Sequence, residues 1–202
     1  MLLSAILSDT LNLQGPTTTS WDKLMVAVLV EICEMTSGAE IQSLVTKLFK
    51  AKSRDLVSMA PMELVEGDQK IFRFKENFEG SLGFSVLETT DDKVLLQKAP
   101  ELLSALRQDK INKELGVSLL AVVNIVSLKA TLLLCGDAER SLAEAAFPSI
   151  EYSLVDEHTM DLGNSVSRKK VLVPAVKGAI KRGWAPETVE LVHTSRVSFG
   201  GK

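Results

Sequence analysis

The sequence predicts an α/β protein, with a helical N-terminal part followed by a mixed-sheet α/β domain. Three observations carry that expectation. Residues 21–35 and 38–52 repeat apolar side chains at the three-to-four-residue spacing of a helix face. Residues 70–75 and 82–88 alternate along a strand period on either side of a short turn, as paired antiparallel strands do. Residues 117–126 and 129–135 are apolar nearly throughout, the pattern of strands buried on both faces.

Residues 2–8 form an apolar run too short for length to decide between helix and strand. The chain opens on this run with no polar lead-in, which reads as the interior of an element. Gly15-Pro16 marks a turn, and the hydroxyls of Thr17 to Ser20 can cap a helix from Trp21 to Met35. Its apolar positions are Leu24, Val28, Leu29 and Ile32. Ser37 and Glu40 form a capping box for a second helix over 38–52, bearing Ile41, Leu44, Val45, Leu48 and Phe49. The basic run Lys50 to Arg54 suits its C-terminus. Pro61 interrupts the pattern, and a domain boundary is expected between about 36 and 60.

Beyond it, strands at 70–75 and 82–88 are joined by a turn at Asn77 to Gly80. A helix over Ala99 to Lys113 directs Leu102, Leu103, Leu106 and Ile111 inward. The two apolar runs then form a central hairpin. Asp137 caps a helix at 138–146, Pro148 ends it, and 149–154 reads as a short edge strand. Pro174 opens a helix that runs to Arg182, with Val176 and Ile180 on one face and Gly183 as its stop. The chain thus divides into residues 1–36, a connecting helix and linker at 37–60, the mixed domain at 61–183 and a tail at 184–202.

Composition narrows the function. At 202 residues, 46 % hydrophobic and 24 % charged, the chain has the make-up of a globular protein of one domain or two small ones. A net charge of −3 with bases scattered among acids speaks against nucleic acid as a partner. No apolar run approaches the ~18 residues of a membrane span. The first thirteen residues lack the basic start and small-residue cleavage site of a signal peptide. Cys33 and Cys135 lie in apolar periodic segments without partner spacing, so buried, reduced thiols and a cytoplasmic location are expected.

Three stretches carry chemistry. Ser165-Val166-Ser167-Arg168-Lys169-Lys170 sets three adjacent cations beside two hydroxyls and a proline-started helix, a phosphate-binding pattern. Side by side, such cations repel and call for a counter-anion or free solvation. Asp9 ends the first apolar run and is followed by Thr10, and Asp68-Gln69-Lys70 sets a lysine close to a carboxylate. His158, beside Asp156, Glu157 and Asp161, reads as part of a solvated acidic loop, and His193 as a surface residue. Glycine-rich nucleotide loops, paired-cysteine motifs and helical zinc motifs are absent from the sequence.

In order and spacing, the three stretches resemble motifs of the DHH phosphoesterase superfamily. Leu2 to Thr10 resembles the fourth metal-binding motif. Asp68-Gln69-Lys70 and Ser167-Arg168-Lys169-Lys170 resemble the substrate-lysine segment and the basic motif of the C-terminal domain. Residues 1–182 are similar to the C-terminal portion of manganese-dependent (family II) inorganic pyrophosphatases. Phe49 to Lys52 followed by Asp68 to Lys70 draws them toward the exopolyphosphatase and prune branch. The resemblance implies the end of a DHH-type α/β domain at 1–36 and a DHH-associated substrate-binding domain at 61–183. It further implies Mn²⁺ or Mg²⁺ as cofactor and pyrophosphate or short polyphosphate as ligand. Asp9 would be a metal ligand, and Lys70, Arg168 and Lys169 would bind phosphate. Lys170 should point away from its two neighbours. The family's first three motifs, with the Asp-His-His triplet, do not occur in the chain. The expectation is therefore a truncated product, a split gene or an expression fragment that does not turn over pyrophosphate unaided. A non-catalytic, prune-like module that binds protein partners is the alternative.

Overall fold

In a computed structural model, the chain is described over residues 1–75, 77–148 and 152–186. Helices α1 (Leu2–Asp9), α2 (Ser20–Ile32), α3 (Gly38–Ser58) and α4 (Pro61–Gly67) come first. Strands β1 (Lys70–Phe74) and β2 (Gly80–Thr89) follow, then helices α5 (Asp92–Leu96) and α6 (Ala99–Asn112). Next come β3 (Val117–Asn124), β4 (Lys129–Leu134), α7 (Asp137–Ala146), β5 (Ser153–Asp156) and β6 (Thr159–Asp161). A π-helical turn over Arg168–Leu172 leads directly into α8 (Val173–Lys181).

The strands form one mixed sheet in the order β1-β2-β3-β4-β6-β5. Among the described residues only β2 and β3 pair in parallel, and α5 and α6 make the crossover that such a pairing requires. All the other neighbours are antiparallel. Central strands β3 and β4 are buried on both faces, and their alternation sorts side chains into two cores. Leu119, Ala121, Val123, Leu132 and Leu134 face the core built with α1, α2, α3, α7 and α8. Leu120, Val122 and Leu133 face the one built with α4, α5 and α6. Leu3 and Leu7 of α1 and Val45 and Phe49 of α3 join the first core directly.

Local chemistry explains most of the starts and stops. Thr19 and Asp22 cap α2 reciprocally, as do Ser37 and Glu40 for α3. Pro61 stands in the first turn of α4, and Gly183 ends α8 with φ 104°.

Several expectations are corrected. Helix α3 continues to Ser58, which leaves Lys50 to Arg54 inside it rather than at its end. On α2 the buried residue is Val26, while Leu24, Val28 and Ile32 face solvent together with Trp21. Both sides of that helix are apolar, so periodicity cannot say which one packs. Ile111 is 71 % exposed, because nine residues along the helix put it on the face opposite Leu102, while Asp109 in the same turn is buried. Gly136, not Asp137, occupies the cap of α7, and Asp137 is the first helical residue. Cys33 is exposed at the end of α2, whereas Cys135 is buried. The expected strand at 149–154 is β5, displaced to Ser153–Asp156, with residues 149–151 outside the described residues. His193 and the weak periodicity at 189–192 also fall outside them. No helix among the described residues is long and apolar enough to cross a membrane.

Candidate functional site

Four segments of the chain meet over the first core and border a cleft of about 190 Å³. Asp9 comes from the C-terminal end of α1, and Gly15, Pro16 and Thr17 from the loop after it. Asp68 follows α4, Glu88 projects from β2, and Ser167, Arg168 and Lys169 open the π-helical turn.

The loop after Asp9 is tightly wound. Leu11, Asn12 and Leu13 hold φ of 50°, 57° and 62°, three consecutive non-glycine residues in the left-handed region that side chains disfavour. Surrounding contacts hold this conformation in place. Thr10, itself buried, donates its hydroxyl to Ile6 O at 2.6 Å and accepts from Leu13 N at 3.1 Å. Gly15 N donates to Thr10 O at 2.7 Å. A Cβ on Gly15 would lie 2.9 Å from that same oxygen, which is why the position needs glycine.

On the opposite wall, Ser167 accepts from Lys170 N at 3.2 Å through its hydroxyl, while its carbonyl accepts from Val171 N and Leu172 N. This serine, only 8 % exposed, caps the turn and fixes where Arg168 and Lys169 project. The Arg168 guanidinium is anchored on three acceptors: the Asp68 carbonyl, Asp68 Oδ1 at 3.0 Å and Phe84 O at 3.4 Å. Lys169 makes no ion pair among the described residues. Lys170 turns away and donates Nζ to Pro16 O at 2.6 Å, so it pins the Gly15-Pro16 loop instead of lining the cleft.

Asp9, Arg168 and Lys169, from opposite ends of the sequence, therefore line one cleft. Lys70 does not line it. Lys70 is exposed at the start of β1, paired with Phe84, the residue whose carbonyl accepts from Arg168. Sequence reasoning missed Glu88 and Thr17. Nothing in an alternating strand marks Glu88, and Thr17 stands in a hydroxyl run whose capping residue is Thr19.

Three carboxylates, Asp9, Asp68 and Glu88, and two bases, Arg168 and Lys169, thus share the rim. Asp68 is engaged by Arg168 and Glu88 by Lys52, which leaves Asp9 as the carboxylate without an ion-pair partner among the described residues. Among those residues no group of three or more His, Cys, Asp or Glu side chains is placed to hold a metal ion. Hard cations need several oxygen ligands, so the described residues do not fit a complete manganese or magnesium centre. Arg168 and Lys169 do fit an anion, the first as a planar fork and the second as a compact charge. Asp9 and the other carboxylates oppose a bare anion, and a divalent cation bound with it would offset that repulsion.

The DHHA2 domain model matches residues 46–179 of the chain. A Deinococcus radiodurans protein named "Probable manganese-dependent inorganic pyrophosphatase" is 34 % identical over 188 residues, covering 93 % of this chain and 56 % of its own length. The Methanothrix thermoacetophila protein named "Manganese-dependent inorganic pyrophosphatase" is 29 % identical over 182 residues, with 90 % and 55 % covered. Among solved structures, a Methanococcus jannaschii protein described as a family II inorganic pyrophosphatase superposes with a TM-score of 0.74 at 28 % identity, covering 89 % of this chain and 54 % of that one. The chain spans about half the length of the curated relatives it matches.

Proposed function

The chain belongs to the DHHA2 domain family, and from that premise we propose that it is the phosphate-binding part of a metal-dependent phosphoanhydride hydrolase. Its ligand would be inorganic pyrophosphate or a short polyphosphate. The observation that carries this reading is the meeting of Asp9, Arg168 and Lys169 in one cleft, from segments more than 150 residues apart. Arg168 and Lys169 hold the phosphoryl oxygens, and Lys70, one strand away, extends the basic surface toward them. Asp9 faces the same space as a ligand for Mn²⁺ or Mg²⁺, whose remaining ligands come from outside the described residues. A bound ion would supply charge neutralisation for the phosphoryl group and an activated water. The two free cysteines support a reducing, cytoplasmic setting.

Calorimetry with pyrophosphate tests the reading. Binding should strengthen when Mn²⁺ is added, and Arg168→Ala/Lys169→Ala should weaken it at least tenfold. Unchanged affinity in that double variant would sink the proposal. By itself the chain is expected to bind without turnover, because Asp9 alone does not form a complete catalytic metal centre among the described residues. Metal-dependent release of phosphate from pyrophosphate by the purified chain would contradict that.

A second reading, a non-catalytic protein-interaction module, is favoured by the solvent-facing stripe Trp21, Leu24, Val28 and Ile32 on α2. Sedimentation of the wild type against Trp21→Ser/Ile32→Ser tests it. Identical monomeric behaviour at all concentrations would remove self-association as its basis.

A further inference from the structure

Beside the cleft, and sharing Leu11 with it, lies a pocket of about 420 Å³ between the loop after α1, one face of α3 and the ends of strands β2 and β3. That volume is in the range of small-molecule sites. Strands β2 and β3 are the parallel pair, and Thr90 and Ile125 directly follow their last paired residues, Thr89 and Asn124. Crevices outside the carboxyl ends of parallel strands are where α/β sheets hold ligands. Residues 10–15, 41–51, 89–92 and 124–127, which supply and flank every lining position, are all among the described residues.

The main chain fixes the walls and leaves their polar side chains open. Asn12 N donates to Leu7 O at 2.8 Å, Gln14 N to Leu11 O at 3.2 Å and Thr90 N to Ser53 Oγ at 2.8 Å. Beyond β3, Asn124 Oδ1 accepts from Val126 N and Ser127 N, each at 2.9 Å, and shapes the turn. On α3, Gln42, Val45, Thr46 and Phe49 keep helical spacing and share one face. The side-chain amides of Asn12, Gln14 and Gln42 and the Thr90 hydroxyl make no hydrogen bond among the described residues. Leu11, Val45, Phe49 and Ile125, each 8 % exposed or less, supply an apolar floor.

Three carboxamides and a hydroxyl thus border an apolar floor, and each carboxamide offers both a donor and an acceptor. Lys50, exposed, is the one charged residue among those described that lines the pocket, so charge contributes little to selection. A polyol would satisfy the amides and leave the floor uncovered. An aliphatic chain would cover the floor and leave the amides without partners. A flat ring with donors and acceptors along its edge does both, and Asn and Gln amides pair with base edges in this way. From this arrangement we infer a small-molecule site for a neutral planar heterocycle of the purine or pyrimidine type. The wall beside it keeps Leu11, Asn12 and Leu13 at positive φ, a strain of the kind that collects at ligand sites. Neither Arg168 nor Lys169 lines the pocket, and the inference does not depend on the hydrolase reading.

Titration calorimetry of the full chain tests it, with adenosine, guanosine and uridine as neutral probes and myo-inositol as a polar, non-planar control. At least one nucleoside should bind tenfold or more tightly than myo-inositol. Gln14→Ala/Gln42→Ala removes two of the amides, and Thr46→Trp fills the pocket from α3. Each should weaken binding of that nucleoside tenfold or more. All three side chains are exposed, so thermal melting should confirm folded variants. Arg168→Ala/Lys169→Ala, which strips the cleft of its bases, should leave nucleoside affinity within twofold. Affinity within twofold of the wild type in either pocket variant would overturn the inference. So would loss of nucleoside binding in Arg168→Ala/Lys169→Ala, or no nucleoside bound more tightly than myo-inositol.

Discussion

Arg168 makes contact with three oxygens, two of which are backbone carbonyls. Removing the Asp68 carboxylate therefore leaves the guanidinium in place while taking one negative charge from the cleft. Asp68→Asn is expected to tighten pyrophosphate binding several-fold at low salt, and calorimetry across salt concentrations would show it. Weaker binding would mean that the carboxylate positions the arginine. The cysteines offer a second check at this scale. Burial, and then the neighbouring Glu139 carboxylate, push the Cys135 thiol up to about 12, whereas Cys33 is exposed. Iodoacetamide at pH 8 should label Cys33 in the folded chain and spare Cys135 until denaturant is added, as read by peptide mass spectrometry. Spacing alone could not separate the two thiols, because each sits in an apolar segment and exposure depends on what packs there.

At the scale of elements, the β1–β2 turn is held by an aromatic inserted between glycines. The Phe78 ring would come within 2.8 Å of a Cβ on Gly80 and 2.6 Å of one on Gly116, and Trp184 stacks edge-on at 5.8 Å. Gly116→Ala should cost about 1–3 kcal/mol in urea unfolding, since neither ring nor backbone can retreat in a packed core. Stability within error of the wild type would show that Phe78 relocates. Helix α1 gives the opposite case. Its apolar run left helix and strand open in the sequence, and packing of Leu3 and Leu7 into the first core decided it. Leu7, 1 % exposed, should lose about 2–5 kcal/mol on substitution by alanine. Trp21→Ser on the solvent side of α2 should stay within about 0.5 kcal/mol. Equal losses at both positions would contradict the assignment of the packed face.

For the whole molecule, two buried carboxylates fasten α6 to its surroundings. Glu139 is fully buried and accepts from Lys110 Nζ at 2.7 Å and from Ser118 N at 2.9 Å. Asp109, also fully buried, lies 2.6 Å from Lys113 Nζ, which Glu66 of α4 meets as well at 3.1 Å. Burial pushes the Lys113 pKa down, but its hydrogen bonds and charge pairing with Asp109 and Glu66 outweigh that and leave it above its ordinary 10.5. A raised folded-state value contributes stability that is complete below 10.5 and vanishes as pH climbs through the higher folded value. Melting temperature should therefore fall in that alkaline window, and Lys113→Met should flatten the dependence. An identical alkaline slope in the variant would remove Lys113 as its source. Lys110→Met would strand the Glu139 charge and should cost about 3–5 kcal/mol.

The sequence by itself determined the α/β class, the hairpins, the capped starts of α2 and α3 and the helix from Pro174. Each rests on neighbours in the chain: side-chain period, reciprocal caps and the fixed φ of proline. It also singled out Asp9, Lys70, Arg168 and Lys169 as residue types suited to metal and phosphate. Tertiary structure alone decided that β2 and β3 run parallel, which face of α2 is buried, and that Glu88 and Thr17 border the cleft. Local periodicity reports which residues share a face. Which faces meet depends on contacts between segments far apart in sequence, and no local pattern records those.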